Sequence, residues 1–145
     1  MKVKARNRVG RVTVELLVAN YGDLALARRG LLAEDKVRRQ TISGIVDSAA
    51  ARLVLPQGLV TQLGLPLGEK INIRYADGRR VQRLQAEDVY VEILGRHGTF
   101  TAIVEPRRRT ALIGFIVLGD LDLLVDCLHQ RLEPRDPAGP LYEIE

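Results

Sequence analysis

The chain has 145 residues, enough for one domain that buries its own core. Hydrophobic residues make up 46% and charged residues 28%, which excludes a disordered or fibrous chain, and no window approaches the roughly 18 apolar residues of a membrane-spanning helix. The net charge of +4 raises the question of a polyanion partner, but the arginines are scattered, and four Tyr, two Phe and no Trp provide no stacking platform. A nucleic-acid partner is therefore disfavoured, and most arginines read as a solvated face.

The single cysteine, Cys127, excludes an intramolecular disulfide and reads as a small, partly buried side chain. His97 and His129 lie too far apart for a local metal motif and read as surface residues. No metal or cofactor is expected.

Residues 1–10 form a basic arm. The apolar stretch after it is short and interrupted by Glu15, with no small-residue cleavage site following, so a cytoplasmic protein is expected. Residues 12–18 alternate as a first strand, with Val12, Val14 and Leu16 on one face. Residues 20–23 read as a turn. Residues 24–40 have helix-forming composition but are cut by Gly30, which predicts a mobile connection.

The stretch 41–64 organises the rest. An apolar run (Ile42, Ile45, Val46) ends in Asp47, small residues Ser48, Ala49, Ala50 and Ala51 follow, and a second apolar run, Leu53-Val54-Leu55, stops at Pro56. A carboxylate between two apolar strands is costly unless its oxygens are hydrogen-bonded, and small neighbours let backbone N–H groups approach it. By itself, an Asp at a strand end before Ser is commonly a turn-former, whose side chain accepts from the backbone just ahead. Pro56 should open a short helix with Leu59, Val60 and Leu63 inward and Gly64 as its stop.

Strands are then expected over 70–76, 79–85, 89–94 and 99–104. Asp77-Gly78 gives the strongest hairpin signal, and Gly95 to Gly98 the next turn. Ala111-Leu112-Ile113-Gly114 is apolar and precedes a short helix over 115–121. Residues 123–125 end at a turn acid, Asp126, and pair with 131–133; 141–144 could add an edge strand after a Pro-rich tail that leaves the domain. The expected architecture is all-β, a closed barrel with one or two short helices. No G-x-S-x-G elbow surrounds Ser43 or Ser48, Gly64 and Gly68 lack the Lys-Ser/Thr of a phosphate loop, and Asp120, Asp122 and Asp126 match no calcium loop.

Four features fall in one order: the apolar strand into Asp47-Ser48, the LVLP strand into a helix ending LGL, the hairpin tipped by Tyr75-Ala76-Asp77-Gly78, and Leu112-Ile113-Gly114 before a helix. This order resembles the retropepsin-like aspartic peptidases, especially small bacterial single-domain members, whose signature is D-[ST]-G after two apolar residues with a later apolar-apolar-Gly. The resemblance covers residues 12–134 and implies the acid protease fold over 11–135, with 136–145 as a tail able to supply a dimer strand.

It also implies a homodimer acting as an endopeptidase on peptides or unfolded protein. Asp47 of each chain would meet its counterpart at a twofold axis over a water molecule, within an active-site loop of Ser48, Ala49 and Ala50. Ser48 would lock the two loops together across the axis. Tyr75, Ala76, Asp77 and Gly78 would form the flap, and Leu112, Ile113 and Gly114 would brace the loop. The chain departs from the family pattern at Ala49, where the family has Gly. Retroviral members also carry an acid at the place of Ala51 and an Arg at that of Phe115. The Ala49 methyl beside the dyad leaves an alternative, a weak or inactive peptide-binding dimer of the same fold.

Overall fold

A computed structural model of the chain describes residues 11–145; the basic arm, 1–10, lies outside the described residues. The elements run β1 (Val12–Asn20), α1 (Tyr21–Arg28), a 3-10 turn (Glu34–Lys36), β2 (Arg39–Val46), β3 (Leu53–Pro56), α2 (Gln57–Leu63) and β4 (Leu67–Arg74). They continue with β5 (Arg80–Ile93), β6 (Arg96–Glu105), β7 (Ala111–Ile113), α3 (Phe115–Leu121), β8 (Leu123–Asp126) and β9 (Arg131–Pro134).

The main sheet has the order β1-β2-β7-β3-β6-β5-β4, and β1 also pairs with β5 from Leu17↔Glu92 to Asn20↔Val89. That extra pairing closes six strands into a barrel, and β4 hangs on the outer edge of β5. Closure removes the edges among these six strands, whereas β4 keeps one edge unpaired. The interior is filled by alternate residues, among them Leu16 and Val18, Leu53 and Leu55, Val89, Val91 and Ile93, and Ile113. Leu59, Val60 and Leu63 of α2 and Val117, Leu118 and Leu121 of α3 cover the barrel with their inward stripes.

The inward face of β1 is as expected, and α2 ends at Gly64 in a left-handed conformation (φ +60°) that glycine adopts without strain. Pro56 is the last residue of β3 and caps α2, which begins at Gln57.

Several expectations need correction. There are three short helices among the described residues rather than one or two, because the expected turn at 20–23 starts α1. The Asn20 side chain caps that helix, its Oδ1 accepting from the Asp23 N–H at 3.0 Å. Residues 24–40 are held in place. Asp23 is buried, and its carboxylate accepts from the Arg38 backbone N–H (3.0 Å), Nε (2.9 Å) and Nη2 (3.1 Å), while Asn20 Nδ2 donates to the Leu63 and Gly64 carbonyls. The two strands expected over 79–85 and 89–94 are one strand, β5, carrying a bulge between Ala86 and Val89 where Asp88 takes φ 56°.

Arg96, expected in a turn, begins β6 and is buried. Its Nη1 donates to the Leu121 and Asp122 carbonyls (3.2 and 2.8 Å), and its Nη2 donates to the Asp136 carbonyl. The tail does not leave the domain. Leu141 N–H donates to Asp122 Oδ2 at 3.0 Å, Arg135 Nη2 donates to the Leu141 carbonyl at 2.7 Å, and the Tyr142 hydroxyl donates to the Asp120 carbonyl. Residues 141–144 form no strand in the chain. Cys127 is exposed rather than partly buried. Asp126 is the turn acid expected of it, accepting from the His129 N–H at 3.1 Å. Among the described residues no helix is long and apolar enough to cross a membrane.

Two predictions follow from these contacts. The β5–β6 turn is Leu94-Gly95, with φ 52° and 78° between the paired residues Ile93 and Arg96. Such a two-residue turn suits Asn-Gly, whereas an exposed Leu gains nothing there and pays a steric cost. Leu94→Asn should raise the unfolding free energy in urea by about 0.5–1 kcal/mol. The second concerns pH. Hydrogen bonds from Arg38 hold the Asp23 carboxyl below its usual range, against the opposing effect of burial. Its contribution to stability is therefore fully present above the unfolded value near ~3.9 and is lost as pH falls toward the lower folded value. The difference in urea midpoint between wild type and Asp23→Asn should be constant from neutral pH downward and should shrink below that value.

Candidate functional site

Asp47 follows the last residue of β2, where the apolar strand leaves the barrel wall. Strand β7 runs between β2 and β3, parallel to β2 (Gly44↔Ala111 to Val46↔Ile113) and antiparallel to β3 through Val54↔Leu112. The chain between β2 and β3 is therefore a loop straddling β7 and the start of α3, and the main chain pins it there. Asp47 N–H donates to the Ile113 carbonyl at 3.0 Å, Phe115 N–H to the Ala50 carbonyl at 2.9 Å, and Ile116 N–H to the Ala51 carbonyl at 3.0 Å. The last two use amides of the first turn of α3, which no intrahelical acceptor can satisfy. Within the loop, Ala50 N–H donates to the Asp47 carbonyl at 3.1 Å.

Gly114 is where this brace is tightest. An added Cβ would lie 2.6 Å from the Ala51 carbonyl carbon and oxygen and 2.7 Å from the Ala50 oxygen. The obstacle is backbone, which cannot rotate away.

The Asp47 side chain is half-buried. Its Oδ1 accepts from the Ala49 N–H at 3.0 Å, and its Oδ2 accepts no hydrogen bond among the described residues. Ala49 is exposed and is absent from the non-glycine residues with positive φ, so its backbone is one an L-residue adopts freely. The Ala49 methyl thus carries no backbone strain, and its N–H reaches the carboxylate.

Asp47 opens onto a cleft of about 390 Å³ that also receives Ala50, Tyr75, Ala76 and Leu112. The structure thus brings together the loop, the β4–β5 hairpin and β7. Ser48 and Ala49 stand at the exposed rim, Asp77 and Gly78 form the outer tip of the hairpin, and Ile113 and Gly114 are buried behind the loop. The tip is a tight turn: Tyr75 N–H donates to the Arg79 carbonyl, Gly78 N–H to the Tyr75 carbonyl, and Asp77 Oδ1 accepts from the Arg79 N–H, each at 2.9 Å. Gly78 has φ +88°, which requires glycine there.

Sequence reasoning missed a second set of residues around the hairpin. The Tyr75 hydroxyl donates to the Glu105 carboxylate, 2.9 Å from both oxygens, and Arg83 donates to the same carboxylate and to the Tyr75 hydroxyl. The Arg79 guanidinium lies 4.5 Å from the Tyr75 ring centre. Glu105 and its partners anchor the tip end of the hairpin to the end of β6. Arg52, Arg74 and Arg108 line the Asp47 cleft itself. The only local signal for any of these was the Arg107–Arg109 run. Among the described residues no group of three His, Cys, Asp or Glu side chains could hold a metal ion.

The chain matches no known family model, and no curated protein matches it.

Gly114→Ala tests the brace. The methyl must push residues 50–51 off β7, so the variant should lose about 1–3 kcal/mol of stability in urea, as overpacked sites do. Amide exchange at residues 47–51 should accelerate more than in the barrel strands.

Proposed function

We propose that the chain is a retropepsin-like aspartic endopeptidase that works as a homodimer, with Asp47 of each of two chains forming the catalytic pair. The observation that carries this reading is a half-buried carboxylate on a loop braced by three main-chain hydrogen bonds, facing the cleft that the β4–β5 hairpin also lines. The insertion of β7 between β2 and β3 supports it, since it gives Leu112, Ile113 and Gly114 the bracing part that the resemblance assigned to them. Where retroviral members use a charged pair, Ala51 and Phe115 here belong to a backbone brace.

Exposed apolar surface supports the dimer. Phe115 and Ile116 are 52% and 47% exposed at the start of α3, directly beside the loop that carries Asp47. A second copy seated on this face would cover them and bring the two carboxylates together.

The chemistry needs both chains. Two carboxyls a few ångströms apart do not both ionise, so the pair holds one shared proton. The ionised member takes a proton from a water molecule as its oxygen attacks the peptide carbonyl carbon. The protonated member donates to the carbonyl oxygen. As the tetrahedral intermediate collapses and the C–N bond breaks, the carboxyl protonated by water gives its proton to the leaving nitrogen. The other takes one back from a hydroxyl of the intermediate, so each serves once as acid and once as base. The free Oδ2 of Asp47 and the Ala49 N–H on Oδ1 suit a carboxylate held in orientation but open to water and its counterpart. The hairpin bearing Tyr75 and Ala76 closes over an extended peptide.

Asp47→Asn should reduce casein cleavage by at least ~10²-fold, in keeping with loss of a general acid–base group. Wild type mixed with excess Asp47→Asn chain should lose activity as mixed dimers form. Activity per wild-type chain that is unchanged in the mixture would remove the shared pair. A wild type inert on casein, beside an Ala49→Gly protein that cleaves it, would make the chain the peptide-binding dimer instead.

A further inference from the structure

Two clefts meet beside Tyr75 at the turn end of the β4–β5 hairpin, and arginines outnumber the carboxylates that line them. The cleft facing Asp47 is lined by three arginines, Arg52, Arg74 and Arg108. The adjoining cleft, of about 660 Å³, shares Tyr75, Glu105 and Arg108 with it and adds Arg79, Arg83 and Arg107. The carboxylates in these linings are Asp47 and Glu105, and Glu105 is committed to the Tyr75 hydroxyl and to Arg83. Among the described residues no carboxylate lies within 4.0 Å of Arg52, Arg74, Arg107 or Arg108. Two of them have neutral partners: Arg52 Nη1 donates to Gln85 Oε1 and Arg108 Nε to the Thr110 carbonyl. Elsewhere on the chain Asp23, Asp122 and Asp126 are each paired with Arg or His, whereas these four arginines of the clefts have no acidic partner.

We infer that the joined clefts take an acidic stretch of polypeptide, with Asp or Glu side chains flanking the peptide bond presented to Asp47. This deepens the peptidase reading and rests on it for the ligand's being presented to Asp47. The ligand's identity as polypeptide has its own support in β4. That strand pairs with β5 alone, and its residues Asn72, Ile73 and Arg74 line the Asp47 cleft. A free strand edge offers alternating N–H and C=O groups that an extended peptide satisfies and a nucleic acid does not. The planar guanidiniums suit carboxylates through paired N–H donors. The carboxylates sit to either side of the scissile bond because Asp47 itself repels an acid placed directly upon it.

The test measures binding of a fluorescein-labelled peptide with alternating glutamates to the Asp47→Asn protein by anisotropy. Its glutamine isostere and an oligothymidylate are run beside it. Each exposed carboxylate–guanidinium pair contributes a factor of about two to five, so three of them should favour the glutamate peptide by at least ~10-fold. That preference should collapse in 1 M salt, where charges are screened beyond about 3 Å. It should also fall in an Arg74→Glu, Arg107→Glu protein, both exposed positions whose change the fold tolerates. Equal binding of the glutamate and glutamine peptides, or tighter binding of the oligonucleotide than of the glutamate peptide, overturns the inference. The two readings separate in cleavage assays. If wild type cleaves both peptides equally and only with Asp47 intact, the peptidase stands and the acidic preference falls. Selective binding of the glutamate peptide without cleavage leaves the acidic cleft standing and removes the peptidase.

Discussion

A buried amide without an acceptor costs about 1–3 kcal/mol, and a loop that must cross a barrel rim has several to satisfy. The loop after β2 meets this demand with partners from some sixty residues further along the chain. It gives its own amide to Ile113 and receives those of Phe115 and Ile116 at its carbonyls. The exchange fixes the position of Asp47 without any side chain, so Ser48, Ala49, Ala50 and Ala51 can all be small. It also explains why Gly114 stands at the crossing, where the backbone atoms of Ala50 and Ala51 leave no room for a methyl group. Everything proposed for the cleft depends on this crossing, because it sets the direction in which the one half-buried acid of the loop points.

Around that fixed point, charge is partitioned. The acids that structure the chain are neutralised where they stand: Asp23 by Arg38, Asp122 by Arg135 with Arg96 close by, and Glu105 by Arg83 and Tyr75. These pairs tie together segments distant in sequence, including the C-terminal tail, which Asp122 holds through the Leu141 amide. Among the arginines they leave without acidic partners, Arg52, Arg74, Arg107 and Arg108 line the clefts where the hairpin meets the barrel.

The periodic parts of the fold were legible from residues alone. Alternation marked β1, Asp77-Gly78 marked the hairpin, and the Leu59, Val60 and Leu63 stripe marked α2. The loop around Asp47 and the Leu112-Ile113-Gly114 segment were legible because small and apolar residues stand in a meaningful order. Long-range satisfaction was not. Arg96 sits between turn residues and looks solvated, yet it is buried because carbonyls of Leu121, Asp122 and Asp136 converge on it. Helix α1 was taken for a turn because Asn20 is good at both, and only the Leu63 and Gly64 carbonyls above its side chain decide between them. Glu87-Asp88 looked like the end of a strand because a bulge and a break share the same polar signature. The arginines of the two clefts come from five separate elements and loops, and no single local pattern joins them.

Strand β5 serves two masters along its 14 residues. From Val89 to Glu92 it is sandwiched between β1 and β6, with a ladder on each side; at Gln85 and Ala86 it touches β6 and lies against β4; from Arg80 to Leu84 it has β4 alone. Cooperative unfolding units follow the density of such ladders, so one continuous strand spans a rigid root and a loosely moored outer limb. The bulge at Glu87 and Asp88 falls where one regime gives way to the other. Opening the outer limb therefore breaks the Gln85–Ala86 pairing, the Arg52–Gln85 hydrogen bond and the Tyr75–Glu105–Arg83 knot, and leaves the β5 ladders with β1 and β6 beyond Val89 in place.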